Sequence, residues 1–246
     1  MKSIFVLFLF ISLNGIAQKT TIYSIGDSTM ATKIKPEENP ERGWGQMLSS
    51  FFTKEVVIDN RAVNGRSTRS FIAEKRWDSV CKVLKPGDYV FIQFGHNDEK
   101  FADSTRYTNP HTSYRYNLIR FVNEAREKGA IPILFSSIVR RNFNKQGVLI
   151  GTHGEYPLET RLVAQEYKVP FIDLEYYTEL LEVSYGSEKS KDLHLHFKPG
   201  ENSYLPKGIN DDTHLSVLGA TEVAKIVIKE IKKTKLVLAN YIKDSF

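Results

Sequence analysis

Five short apolar runs punctuate the chain, over residues 21–26, 56–60, 89–95, 131–136 and 170–174, and they restrict the possible folds more than any other feature. Each is rich in β-branched and aromatic residues and lacks the alternation of a half-wet sheet, so each reads as a strand buried on both faces. Between the runs the pattern shifts to a helical period. "GWGQMLSSFF" predicts a first helix, and "SFIAEKRWDSVCKVL" a second that stops before Pro86-Gly87. "HTSYRYNLIRFVNEAREKG" carries Tyr114, Leu118, Phe121, Val122 and Ala125 along one face, with Gly129 as its stop. "PLETRLVAQEYK" precedes the fifth run, and a last helix starting at Ser216 turns Val217, Ala220, Val223, Ala224, Val227 and Ile231 inward. Strands that alternate with helices need crossover connections, which make the sheet parallel and cover both its faces. The expected fold is therefore α/β, a three-layer α/β/α sandwich around a five-stranded parallel sheet. The loops that follow its strands should gather along one edge, where ligands bind in such folds. No linker interrupts the pattern, so residues 18–246 are expected to form one domain, with residues 184–212 as a long irregular segment.

The first residues stand apart. Met1-Lys2 precedes an apolar run over residues 4–13 and then Asn14-Gly15-Ile16-Ala17. A short positive start, about ten apolar residues and small residues before a cut describe a secretory signal peptide, expected to be cleaved after Ala17. The run falls short of the ~18 residues a membrane span requires. No cysteine stands near the cut to take a lipid anchor, so a secreted or periplasmic protein without membrane association is expected. Cys81 is the only cysteine, which rules out an intrachain disulfide, and its place in "WDSVCKVL" reads as core packing. The net charge of +5 could favour a polyanionic substrate. Lysines and arginines are interspersed with acidic residues, however, and no basic stripe with interleaved aromatics suggests nucleic acid.

Three of the five strands run into loops of unusual content. The first gives Gly26-Asp27-Ser28-Thr29, the second leads to Asn64-Gly65-Arg66-Ser67, and the third gives Gly95-His96-Asn97-Asp98. Asp211-Asp212-Thr213-His214 stands before the last helix. Singly each is an ordinary turn or helix cap. Together, at one sheet edge, they supply what acyl transfer needs. Ser28 is the candidate nucleophile and His214 its candidate base. Asp211, three residues upstream, is the expected carboxylate for the far ring nitrogen, with Asp212 as its rival. The backbone N–H groups of Ser28 and Gly65 and the side-chain amide of Asn97 are candidate donors to an oxyanion. His194 and His196 in "DLHLHF" alternate as on a strand; substrate contact or packing suits them better than a metal, since no acidic or cysteine partner has suitable spacing. Trp44 and Trp77 read as core. The nucleophile elbow Gly-x-Ser-x-Gly is missing, because Met30 stands two residues after Ser28.

These blocks resemble the SGNH (GDSL) hydrolases, named for a Ser, Gly, Asn and His in four blocks: here Ser28 in "GDST", Gly65 in "AVNGRST", Asn97 in "FGHNDE" and His214 in "DDTHLS". The segments "RGWGQML", "VRRNF", "GTHGEYP" and "LHLHFKPGE" narrow the likeness to rhamnogalacturonan acetylesterases of carbohydrate esterase family twelve. The resemblance implies a flavodoxin-like sandwich, no metal or cofactor, and removal of acetyl groups from pectin. An acetylxylan esterase, another acyl-ester or thioester hydrolase, and a non-catalytic carbohydrate-binding relative are the alternatives. The polar stretch "ATKIKPEENPERGWG" beside Ser28 favours a sugar over a lipid.

Overall fold

The computed structural model describes residues 19–245; the leader expected over residues 1–17 lies outside them. Strand β1 (Thr20–Gly26) is followed by a two-residue strand β2 (Glu41–Arg42), a short helix α1 (Trp44–Met47) and β3 (Val56–Asn60). Helices α2 (Thr68–Ala73) and α3 (Arg76–Cys81) lead to β4 (Tyr89–Gln93), α4 (Arg115–Glu127) and β5 (Ile131–Phe135). Then come α5 (Tyr156–Glu166), β6 (Phe171–Ile172) and α6 (Leu174–Lys189), which is kinked at Gly186. The chain continues through β7 (His194–Phe197), β8 (Ile209–Ser216) and α7 (Val217–Lys232).

The main sheet has the order β3-β1-β4-β5-β6, and every pairing in it is parallel. This is the five-stranded sheet the apolar runs imply. Alternate residues of β1, β4 and β5 enter opposite cores, whereas the edge strand β3, expected to be buried on both faces, sends Val56 into one core and exposes Val57. Ile22, Phe91, Ile133 and Phe135 pack with Trp44, Leu48, Leu174, Val223, Val227 and Ile231 on one face. Tyr23, Ile25, Val90, Ile92 and Leu134 pack with Phe71, Trp77, Leu118, Phe121 and Val163 on the other. Helices α1, α6 and α7 thus cover one side and α2 to α5 the other. After β3 the chain crosses β1 to enter β4, so the strand order reverses around β1, the point where open α/β sheets form a ligand crevice at the carboxyl ends of their strands.

Several expectations need correction. The second helix is two, because Lys75 adopts a left-handed conformation (φ 55°) that ends α2 before α3 begins. The first is a single turn followed by a 3₁₀ turn at Leu48–Ser50. The fifth strand is only Phe171–Ile172, since the Asp173 side chain accepts from Tyr176 N–H and caps α6 from Leu174 onward. Val217 faces solvent in the first turn of α7, while the other residues assigned inward are buried. Residues 184–212 are not irregular throughout. They hold the end of α6 and the strand β7, which pairs antiparallel with β8, and β8 pairs antiparallel with β2 to complete a small second sheet.

Candidate active site

β1 ends in a turn shaped by Gly26 and Asp27. A Cβ on Gly26 would stand 2.6 Å from the Gln93 carbonyl oxygen, so the position demands glycine. The buried Asp27 accepts from Thr29 N–H (2.9 Å) and the Thr29 hydroxyl (2.8 Å), while its carbonyl takes the N–H of Ala31 (3.0 Å). Burial raises the affinity of Asp27 for a proton. Held by this turn, Ser28 sits at the carboxyl edge beside the crevice.

His214 arrives from the small sheet. Asp211 faces Leu195 across the β7–β8 ladder, whereas the next pair joins Leu215 to His194, so Asp212, Thr213 and His214 bulge outward without ladder partners. Asp211 shapes this bulge: its Oδ1 accepts from Thr213 N–H (2.8 Å) and His214 N–H (2.9 Å). Its Oδ2 lies 2.7 Å from His214 Nδ1, and His214 Nε2 lies 3.0 Å from Ser28 Oγ. A carboxylate only accepts, so Nδ1 carries the proton and Nε2 offers its lone pair to the serine hydroxyl. Burial would raise the Asp211 pKa, but the ring and backbone bonds from His214 hold it below the usual carboxylate range. The Asp211 bond in turn raises His214 above the ordinary histidine value of 6.5. Asp212, the rival, points elsewhere and accepts from Arg141 Nη1 (2.8 Å), with His196 Nε2 2.9 Å away.

The remaining candidates come from the loops after β3 and β4. Val63 N–H donates to the Gly26 carbonyl (3.0 Å), which brings the Gly65 loop to the end of β1. Gly65 has φ +76°, a region side chains avoid. Among the described residues, neither Ser28 N–H nor Gly65 N–H has a protein acceptor. Asn97 gives one amide hydrogen to the Arg66 carbonyl (3.2 Å) and keeps the other uncommitted. A serine hydroxyl, an imidazole and a carboxylate in line, flanked by unspent N–H donors, can carry out nucleophilic acyl transfer.

Sequence reasoning missed Lys33. Its ammonium is buried and donates to the Ser28 carbonyl (2.6 Å) and Asn64 Oδ1 (2.7 Å), and it lies 2.7 Å from Glu41 Oε1 on β2. All three donors are used, and they tie the Ser28 turn, the Gly65 loop and the small sheet to one another. A lysine inside "ATKIKPEENPER" reads as solvated, and no local signal separates it from Lys35 two residues on. His194 and His196 serve the bulge. His194 is buried between Glu182 Oε1 (Nε2, 2.6 Å) and the His214 carbonyl (Nδ1, 3.2 Å), and His196 faces Asp212. Trp44 and Trp77 are fully buried and donate to Gln93 (2.7 Å) and Glu124 (2.6 Å). Cys81 packs against the second core, where burial pushes its thiol up to about 12, far from a nucleophile's range.

An α/β sandwich with a serine, an imidazole and a carboxylate aligned at its carboxyl edge has the form of an ester hydrolase. Residues 24–221 match the model of the GDSL-like lipase/acylhydrolase family, and the chain belongs to that family. It is thus a carboxylic ester hydrolase. It is 41% identical over 221 residues to the rhamnogalacturonan acetylesterase RhgT of Bacillus subtilis (strain 168), covering 90% of this chain and 93% of that one. It is 31% identical to a rhamnogalacturonan acetylesterase of Emericella nidulans, covering 94% and 91%. Among solved structures, the YxiM protein of Bacillus subtilis superposes with a TM-score of 0.74 at 26% identity, over 89% of this chain and 58% of that one. Axe2, an acetylxylan esterase from Geobacillus stearothermophilus, shares the fold with a TM-score of 0.60 at 17% identity, over 89% and 98%.

Proposed function

We propose that this protein is a serine esterase that removes acetyl groups from rhamnogalacturonan outside the cytoplasm. The hydrogen-bonded line from Ser28 through His214 to Asp211 carries the reading, and the rhamnogalacturonan acetylesterases at 41% and 31% identity support the substrate. Ser28 Oγ attacks the acetyl carbonyl as its proton passes to His214 Nε2, and the Asp211 carboxylate stabilises the imidazolium. The N–H groups of Ser28 and Gly65 and the free amide hydrogen of Asn97 take the negative oxygen of the tetrahedral intermediate. That intermediate collapses by breaking the bond to the sugar oxygen, which leaves with the proton from His214. Water then gives a proton to the same nitrogen and attacks the acetyl-serine, and acetate departs as Ser28 regains its hydrogen.

Acetate release from acetylated pectin, acetylated xylan and long-chain nitrophenyl esters tests the substrate. The expected order places pectin first. A preference for xylan or for long acyl chains would replace this reading with one of the alternatives, and no hydrolysis of any ester would leave a binding protein.

A further inference from the structure

A groove of about 410 Å³ opens against Gly65, lined chiefly by Arg66, Ser70, Glu74, Thr105 and Arg106. Its place is fixed by Arg106. Nη1 of that residue lies 3.5 Å from Asn97 Oδ1, and a Cβ built on Gly65 would stand 3.7 Å from the same nitrogen. The guanidinium therefore sits over two of the three groups assigned to the oxyanion. The groove thus borders the Gly65 and Asn97 loops.

The charge on this groove is poised rather than spent. Arg66 directs Nε to Glu74 (3.1 Å) and Nη1 to the Asn64 carbonyl (2.9 Å), and Arg106 directs Nε to Asp103 (2.5 Å). Among the described residues, Nη2 of neither arginine has an acceptor. Both side chains are about one-third exposed, at 32% and 33%. Glu74 is shared with Arg76 (2.5 Å), so the two lining guanidiniums, Arg66 and Arg106, face a single lining carboxylate that is already shared. Planar forks with free outer edges match a carboxylate and offer little to a neutral hydroxyl.

We propose that this groove is a subsite for a sugar carboxylate, held by the outer edges of Arg66 and Arg106. It makes the enzyme favour acetyl esters on uronate-containing chains over those on neutral glycans. The inference rests on the acetylesterase reading above and assigns that site's discrimination between pectin and xylan to two residues.

Calorimetric titration of the protein with unacetylated oligogalacturonate and with xylo-oligosaccharide of equal length tests it without catalysis. The expected result is at least ~10-fold tighter binding of the uronate chain, and loss of about that factor in R66Q/R106Q, as for paired charge-assisted bonds. A thermal melt confirms that the variant is folded, and R106Q alone replaces it otherwise. On acetylated pectin the loss should appear in KM before kcat. Equal affinity for the two oligosaccharides, or undiminished uronate binding in the folded variant, would overturn the subsite. Failure to release acetate would instead strike the acetylesterase reading, and the titration keeps the two failures apart.

Discussion

At the level of single residues, the proposed chemistry turns on where His214 keeps its protons. Nδ1 donates to Asp211 and Nε2 accepts from Ser28, and the Asp211 bond lifts the ring's pKa above 6.5. The base works only when neutral, so kcat/KM should fall on acidification with an apparent pKa above that value. Asp211→Asn removes the bond and the charge; the acid limb should move to lower pH and kcat should drop by roughly 10⁴-fold. Asp212→Asn should leave the limb in place, because that carboxylate serves Arg141 and His196. Rate profiles of both variants check the assignment. Stability follows the same shifts with opposite signs. The raised His214 contributes stability below 6.5 that is lost as pH rises through its folded value; the depressed Asp211 contributes stability above 3.8 that is lost on acidification. Asp211→Asn should therefore lower the melting temperature more near about pH 5 than near about pH 9. Lys33 permits a separate test. Its charge lowers the His214 pKa, whereas Glu41 raises it, and Asp27, His96 and His194 are further titratable groups near the residue. Lys33→Met should shift the acid limb upward and Glu41→Gln downward; displacement in one shared direction would mean the pair acts through packing alone.

Among the elements, the strands of the main sheet were legible because most are short apolar runs buried on both faces; β3, at the sheet edge, is not, since Val57 is exposed and Ile58 to Asn60 are only half-buried. The second sheet was not legible, for a physical reason: β2 is two residues long, and β8 reads "INDDTHLS", polar because it carries Asp211 and the bulge of Asp212, Thr213 and His214. The regular alternation of "HLHF" in β7 was visible, but its partner lay beyond an eleven-residue excursion, 198–208, that periodicity cannot bridge. The α2–α3 break was hidden for a different reason, since a left-handed lysine leaves no mark in a hydrophobic pattern. The four candidate blocks were nonetheless readable, and the side chain of Asp98 explains part of their cohesion. Buried in the turn after β4, it accepts from Thr68 N–H (3.1 Å), the Thr68 hydroxyl (2.5 Å) and the Thr108 hydroxyl (2.7 Å). It thereby pins the first turn of α2 to the loop of Asn97. Asp98→Ala leaves those donors buried without an acceptor and should cost roughly 3 kcal/mol or more in urea unfolding. A change under about 1 kcal/mol would mean that water replaces the carboxylate without penalty.

Across the whole molecule, the parallel sheet brings chain segments almost two hundred residues apart to one edge, and the reversal of strand order around β1 makes the crevice where they meet. The net charge of +5 acts at this scale. Its field should draw in an anionic glycan, so kcat/KM on acetylated pectin should fall between low and physiological ionic strength while nitrophenyl acetate hydrolysis changes little. Equal salt dependence for both substrates would remove any steering role for the charge. The central claim is narrower, that one hydroxyl on the β1 turn makes and breaks the acyl bond. Acetate release from acetylated rhamnogalacturonan by Ser28→Ala tests it most directly, with folding verified by an unchanged melt. The account predicts a fall of roughly 10⁴-fold or more; activity within about tenfold of the unaltered protein would contradict it.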